Sequence, residues 1–132
     1  MSAAAPRAFH PTDVYVHLAD GGAGETVPVD DDFWPDLMSG KRQIDGRLVT
    51  MSRVAADSSH WEMHPAGEEL LYLVSGELVV VLDDGEEESR ITLNSDTPAL
   101  LVPKGAWHRF EMRDPGLLLF VTPGEGTEHR PL

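Results

Sequence analysis

A chain of 132 residues, 41% of them apolar and 7% aromatic, has the size of one domain, and at this length folding buries about two-thirds of the unfolded surface, leaving too little chain for a second core. Twenty-three acidic against ten basic residues give a formal charge of −13, which repels phosphate backbones and anionic lipid heads, so neither nucleic acid nor a membrane is an expected partner. The absence of cysteine removes disulfides, thiolate zinc sites, iron–sulfur clusters and thiol nucleophiles, and any metal must be held by nitrogen and oxygen.

Residues 1–46 read as an N-terminal arm with one or two short strands. The start MSAAAPRAFHPTD has no apolar stretch of the kind a signal peptide carries, no run approaches the ~20 apolar residues of a spanning helix, and a cytoplasmic location is the expectation. TDVYVHL (12–18) alternates as a half-buried strand should, with Val14, Val16 and Leu18 expected on the buried side, away from Tyr15 and His17. ADGGAGE breaks it. In DDFWPDLMSGK (31–41) an acid-rich start and the Gly40 stop allow one short helical turn. The acidic runs at 30–32 and 83–88 read as solvated surface.

Residues 47–122 hold a succession of β-prone runs: RLVTMSRVA, HWEMH, ELLYLV, ELVVVL, SRITL, PALLVP, WHRFEM and LLLFVT. Turn residues separate them, which predicts an all-β sandwich or barrel. Ser75-Gly76 and Asp84-Gly85 have the chemistry of hairpin turns, since glycine tolerates positive φ. Residues 123–132, PGEGTEHRPL, read as a loop-forming tail that wraps the domain or stays loose.

The densest titratable chemistry is HWEMHPAGEE (60–69), directly before an apolar run. Pro65 disfavours a helical His64, so this is a strand with His60, Glu62 and His64 on one side and Trp61 and Met63 on the other. Same-face neighbours on a strand are about 6.7 Å apart, close enough for Glu62 and His64 to converge on one ion, whereas His60 and His64 are too distant. Glu69 opens the next strand on the face of Leu71 and Leu73, where a buried carboxylate must be paired, neutralised or metal-bound. Far downstream, His108 shares its face with Phe110 and Met112, so it points inward if those residues do. Two imidazoles and one or two carboxylates suit a divalent first-row ion. Taken singly, His64 or His108 is more often a hydrogen-bonded structural histidine. His10, His17 and His129 have no assigned partner, Glu68 is expected in solvent, and Trp61, Met63 and Trp107 are expected to pack.

The combined spacing resembles the cupin family, whose motifs are G-x5-H-x-H-x(3,4)-E-x6-G and G-x5-P-x-G-x2-H-x3-N. His64, Glu69 and Gly76 fit the later part of the first motif, and Pro103, Gly105 and His108 the centre of the second. Ala56, Thr97 and Met112 depart from the pattern, and Glu62 stands in place of the first histidine. The resemblance implies a single-domain all-β barrel, the double-stranded β-helix or jelly roll, as a homodimer. Its mouth would hold a metal on Glu62, His64, Glu69 and His108, with Fe, Mn, Zn or Ni favoured over Cu because the set is hard. Glu62 would serve as a fourth ligand or as a general base. Leu71, Leu73, Phe110 and Met112 are candidate walls of a small-molecule pocket. The implied function is a metal-dependent enzyme, a dioxygenase or a lyase/isomerase acting on a small organic molecule. A non-catalytic binding or sensing module is the alternative, and a purely structural dimer a third, because the fold hosts all of them.

Overall fold

The computed structural model describes residues 6–132. Eleven strands and one short helix follow in chain order: β1 Val14–Leu18, β2 Gly24–Pro28, α1 Phe33–Ser39, β3 Arg47–Val54, β4 His60–Met63, β5 Glu69–Leu73, β6 Glu77–Asp83, β7 Glu88–Leu93, β8 Ala99–Val102, β9 Trp107–Asp114, β10 Gly116–Thr122 and β11 Glu128–Pro131. The strands form two antiparallel sheets, ordered β2-β1-β3-β10-β5-β8 and β11-β4-β9-β6-β7, the expected all-β jelly roll. Among the described residues no helix is long and apolar enough to cross a membrane.

The core lies between the sheets because alternate residues of each face inward. Leu71, Leu73 and Leu118 from one sheet meet Leu78, Val80, Leu82 and Leu93 from the other. β6, the most apolar run, is buried on both faces: Val79 and Val81 point outward but are covered by Trp61, with Trp107 beside it. The guanidinium groups of Arg109 and Arg130 each stack 4.9 Å from the Trp61 ring and shield it from solvent. Trp61 and Trp107 thus pack, as expected.

Three expectations need correction. In β1 the parity is reversed: Tyr15 is the buried residue and Leu18 is exposed. The cause is α1, whose Phe33 and Trp34 take Tyr15 edge-on at 5.3 and 5.7 Å, so an aromatic cluster outside the main core decides which face is covered. The glycine-rich segment after β1 does break it before Gly24–Pro28 returns as β2, but the tail after residue 122 is not all loop, since Glu128–Pro131 pairs with β4 as β11. Ser75-Gly76 is a turn but not a hairpin, since β5 and β6 belong to different sheets. It carries the chain across the sandwich, with Gly76 at φ +92° against the Asp114–Pro115 turn. The Asp84-Gly85 turn does join paired strands, through a four-residue loop closed by Asp84 N–H to Glu87 O. α1 ends at Gly40, which is left-handed at φ +82° as a helix stop should be.

The crossing turn and the β9–β10 turn leave no space between them. A Cβ on Gly116 would lie 1.8 Å from the Ser75 carbonyl oxygen. Gly116→Ala must therefore separate two backbones, and it should destabilise the fold by about 1–3 kcal/mol, the usual cost of overpacking, read as a lower urea midpoint at unchanged slope.

Candidate metal centre

The ends of four strands meet at one mouth of the sandwich. Glu62 lies in β4 with His64 just beyond it, Glu69 opens β5, His108 sits near the start of β9, and Thr122 closes β10. Glu62 and His108 are register partners, so their side chains are neighbours on the same face. Proline and glycine in the 65–68 turn end β4 and send Glu69 back alongside His64. The strand reading of HWEMH is what brings these groups together, and Glu62, His64 and His108 each offer a ligand atom within 4.8 Å of the others.

Glu69, His64 and His108 are 3, 4 and 2% exposed. His64 Nε2 lies 3.3 Å from Glu69 Oε2, and His108 Nε2 lies 3.1 Å from Glu69 Oε1. Neither contact has hydrogen-bond alignment; they are approaches of charge and lone pair, and His64 Nε2 and Glu69 Oε1 are left without hydrogen-bond partners. Burial pushes the Glu69 carboxyl up, but the flanking His108 and His64 imidazoles outweigh it and hold it at about 2, so the group is a carboxylate at neutral pH. Burial likewise pulls His108 down, and Glu69 together with the Ala106 carbonyl more than reverses this, leaving it raised.

The hydrogen-bond network assigns the tautomers. His108 Nδ1 is 3.2 Å from the Ala106 carbonyl oxygen, which only accepts, so Nδ1 carries the hydrogen. Thr127 Oγ1 donates its one hydrogen to the Gly124 carbonyl at 2.8 Å and therefore accepts from His64 Nδ1 at 2.8 Å. With Nδ1 protonated, each ring turns Nε2 to the carboxylate, as a lone pair when the ring is neutral and as a donor N–H when it is protonated, the state that holds the Glu69 carboxyl low. Thr122 Oγ1 donates to Glu69 Oε2 at 2.5 Å, orienting it. Two lone pairs and an anion turned towards one buried point repel one another unless a cation or added protons lie between them. Ligand atoms that share an ion at about 2.1 Å are themselves about 3.0–3.4 Å apart, the spacing of the two Glu69–histidine approaches, and nitrogen with carboxylate oxygen is donor chemistry that fits a divalent metal.

Glu62 is more open, its side chain 41% exposed, and Oε1 also lies 3.4 Å from His129 Nε2. It faces a cavity of about 290 Å³ lined by Ser59, His60, Glu62, His108, Arg109 and Phe110 among others, near the lower end of small-molecule sites. Of the four expected wall residues only Phe110 reaches this cavity. Leu71 and Leu73 are sealed in the core and Met112 packs against it, because the sheets close tightly above the mouth. His60 lies at the cavity rim, and Glu68 is exposed as expected. Thr122, Thr127 and the Ala106 carbonyl were not legible as site groups. Thr127 sits in a Gly-rich segment whose turn is foreseeable, but nothing local reveals that its hydroxyl reaches a histidine 63 positions away. His129 does have a partner, Glu62, and His17 another, with its Nε2 3.0 Å from Asp45 Oδ1.

No curated protein matches the chain. Among solved structures, it is similar to a cupin-2 domain containing protein from Shewanella frigidimarina at 18% identity and TM-score 0.50, over 62% of this chain and 74% of that one. A structure of DMSP lyases is similar at 24% identity and TM-score 0.50 over 65% and 44%, and oxalate oxidase in complex with the substrate analogue glycolate at 16% and 0.50 over 63% and 45%. The likeness spans less than half of each of these last two chains and, at such identities, is one of fold. The sequence model of the Cupin domain family, Cupin_2, matches residues 49–122, the span that carries Glu62, His64, Glu69 and His108. With more than half of its length matched in this way and two antiparallel sheets folded as a jelly roll, the chain belongs to the cupin family.

Proposed function

We propose that this cupin is a divalent-metal-dependent enzyme acting on a small organic molecule at the mouth of the jelly roll, with His64, Glu69 and His108 as metal ligands and Glu62 as a fourth ligand or a base. One observation carries the proposal: the ionised Glu69 carboxylate is buried against the Nε2 atoms of two imidazoles whose Nδ1 atoms are already hydrogen-bonded elsewhere, with His64 Nε2 and Glu69 Oε1 lacking any hydrogen-bond partner. When bound, a divalent ion supplies Lewis-acid polarisation of a substrate oxygen. The donor set of nitrogen and carboxylate oxygen suits Fe, Mn, Zn or Ni. Thr122 and the Ala106 carbonyl hold Glu69 and His108 in place.

Glu62 is the one carboxylate of the group that faces both the ligand cluster and the cavity, and its exposure leaves it able to take a proton from a bound molecule. As a fourth ligand it would instead reduce the open positions and favour lyase or isomerase chemistry over oxygen insertion. A binding or sensing module is the second reading, favoured by the cavity wall. Asp57 and Ser58 there are spent on the β9 backbone, accepting from Met112 N–H at 2.7 Å and Phe110 N–H at 2.8 Å, so few polar groups remain free for chemistry. The homodimer implied by the family resemblance finds support in Leu70, Tyr72 and Leu101, which are exposed on adjacent strands of the outer face of the six-stranded sheet.

In protein purified without added metal or chelator, elemental analysis should find a divalent metal, and His64→Ala and His108→Ala should each reduce it to background while His60→Ala retains it. Chelation should lower the melting temperature, since an ion at a hundred times its dissociation constant contributes about 2.7 kcal/mol. Oxygen consumption or product formation with a member of a small-molecule library separates the enzyme from the module, which would show thermal stabilisation by the same compound without turnover. Light scattering of the wild type and of Leu101→Lys checks the dimer, the variant being expected to run as a monomer.

A further inference from the structure

The family match ends at Thr122, yet the segment after it touches the centre twice. Gly124 O accepts from Thr127 N at 3.2 Å and from Thr127 Oγ1 at 2.8 Å, a tight turn that aims the Thr127 hydroxyl at His64 Nδ1. Two residues on, in β11, His129 Nε2 sits 3.4 Å from Glu62 Oε1. Arg130 points the other way. Its guanidinium stacks on Trp61 at 4.9 Å and on Trp107 at 4.7 Å, and Nη2 donates to Asp83 Oδ2 at 2.9 Å. Residues 123–131 are thus pinned on the outer face of the sheet and reach the ligand-bearing groups on the inner face.

β4 depends on this pinning. It pairs with β9 only where Glu62 meets His108, but with β11 along its whole length, from His60 opposite Pro131 to Met63 opposite Glu128. The strand that aims Glu62 and His64 therefore takes most of its register from β11. A four-residue edge strand paired on one side only is marginal by itself, and its docking responds to small changes in what it contacts.

We propose that residues 123–131 form a strap that is a working part of the metal centre: Thr127 positions His64, His129 steers Glu62, and strap docking and ion binding strengthen each other. The proposal rests on the metal reading above. Its physical basis is that a hydroxyl fixing the remote ring nitrogen sets both the tautomer and the direction of the ligating lone pair, and losing such a partner typically weakens metal binding by about 10–100-fold. Because coupling is reciprocal, the factor by which the docked strap raises metal affinity is the factor by which the metal favours the docked strap.

Zinc titration of the full chain, with hydrogen exchange of the β11 backbone amides with and without zinc, tests this. Thr127→Val should bind zinc about 10–100-fold more weakly while Thr127→Ser stays near wild type, and Arg130→Ala, which touches no ligand, should weaken binding in the same direction. Zinc should slow β11 exchange in the wild type, a measurement that stands even where a variant fails to fold. Wild-type zinc affinity in folded Thr127→Val and Arg130→Ala, or β11 exchange indifferent to zinc, would overturn the strap while leaving the metal site intact. A His64→Ala chain that binds zinc as tightly as wild type would remove the metal site itself, and the strap with it.

Discussion

Glu69 is a carboxylate that stays ionised at 3% exposure, and the surrounding structure is arranged to make that tolerable. An isolated buried charge would cost far more than a domain of this size can absorb from its total stability. Here Thr122 donates to one oxygen and two imidazoles crowd the pair, their Nε2 atoms turned inward because Thr127 and the Ala106 carbonyl occupy their other nitrogens. An ionised carboxylate at such a point in a low-dielectric wall has to be balanced by positive charge, whether protons on the two rings or a bound cation. The sandwich positions it well: rigid strand ends from both sheets deliver the donors, and the close-packed leucines behind Glu69 keep it from withdrawing to solvent.

Much of this was legible in the chain itself. Pro65 settled the strand reading of HWEMH, two-residue periodicity put Glu62 and His64 on one side, and the parity of WHRFEM turned His108 inward with Phe110. The eight β-prone runs from residue 47 to 122 all appear as strands β3 to β10, since their apolar faces are long and their turns carry glycine, proline or asparagine. These are local signals, and local signals suffice for placing the candidate ligands on faces.

What stayed hidden is non-local. Tyr15 is buried in place of its neighbours because a helix some twenty positions later lays aromatic rings over it. Ser75-Gly76 looks like any hairpin turn, and only the pairing of β5 with β8 and β10, and of β6 with β7 and β9, shows that it crosses between sheets. β11 has no apolar alternation at all. It is held by Arg130 stacking and by backbone pairing, neither of which leaves a period in the sequence. The hydroxyls that touch His64 and Glu69 are invisible for the same reason.

The two-faced burial of β6 has a bearing on how the chain comes to be folded. Its ELVVVL run is rich in β-branched residues and uncharged along the middle, the composition of segments that associate edge to edge between molecules. Its inner face closes once the sandwich forms, but the outer Val79 and Val81 rely on the tryptophans and on the arginine that arrives with β11. On a ribosome, those valines follow Trp61 but emerge well before Trp107 and Arg130 complete the cover. The acidic DDGEEE turn immediately following them, otherwise only a solvated loop, is placed to act as a gatekeeper, its charge discouraging intermolecular pairing during that interval.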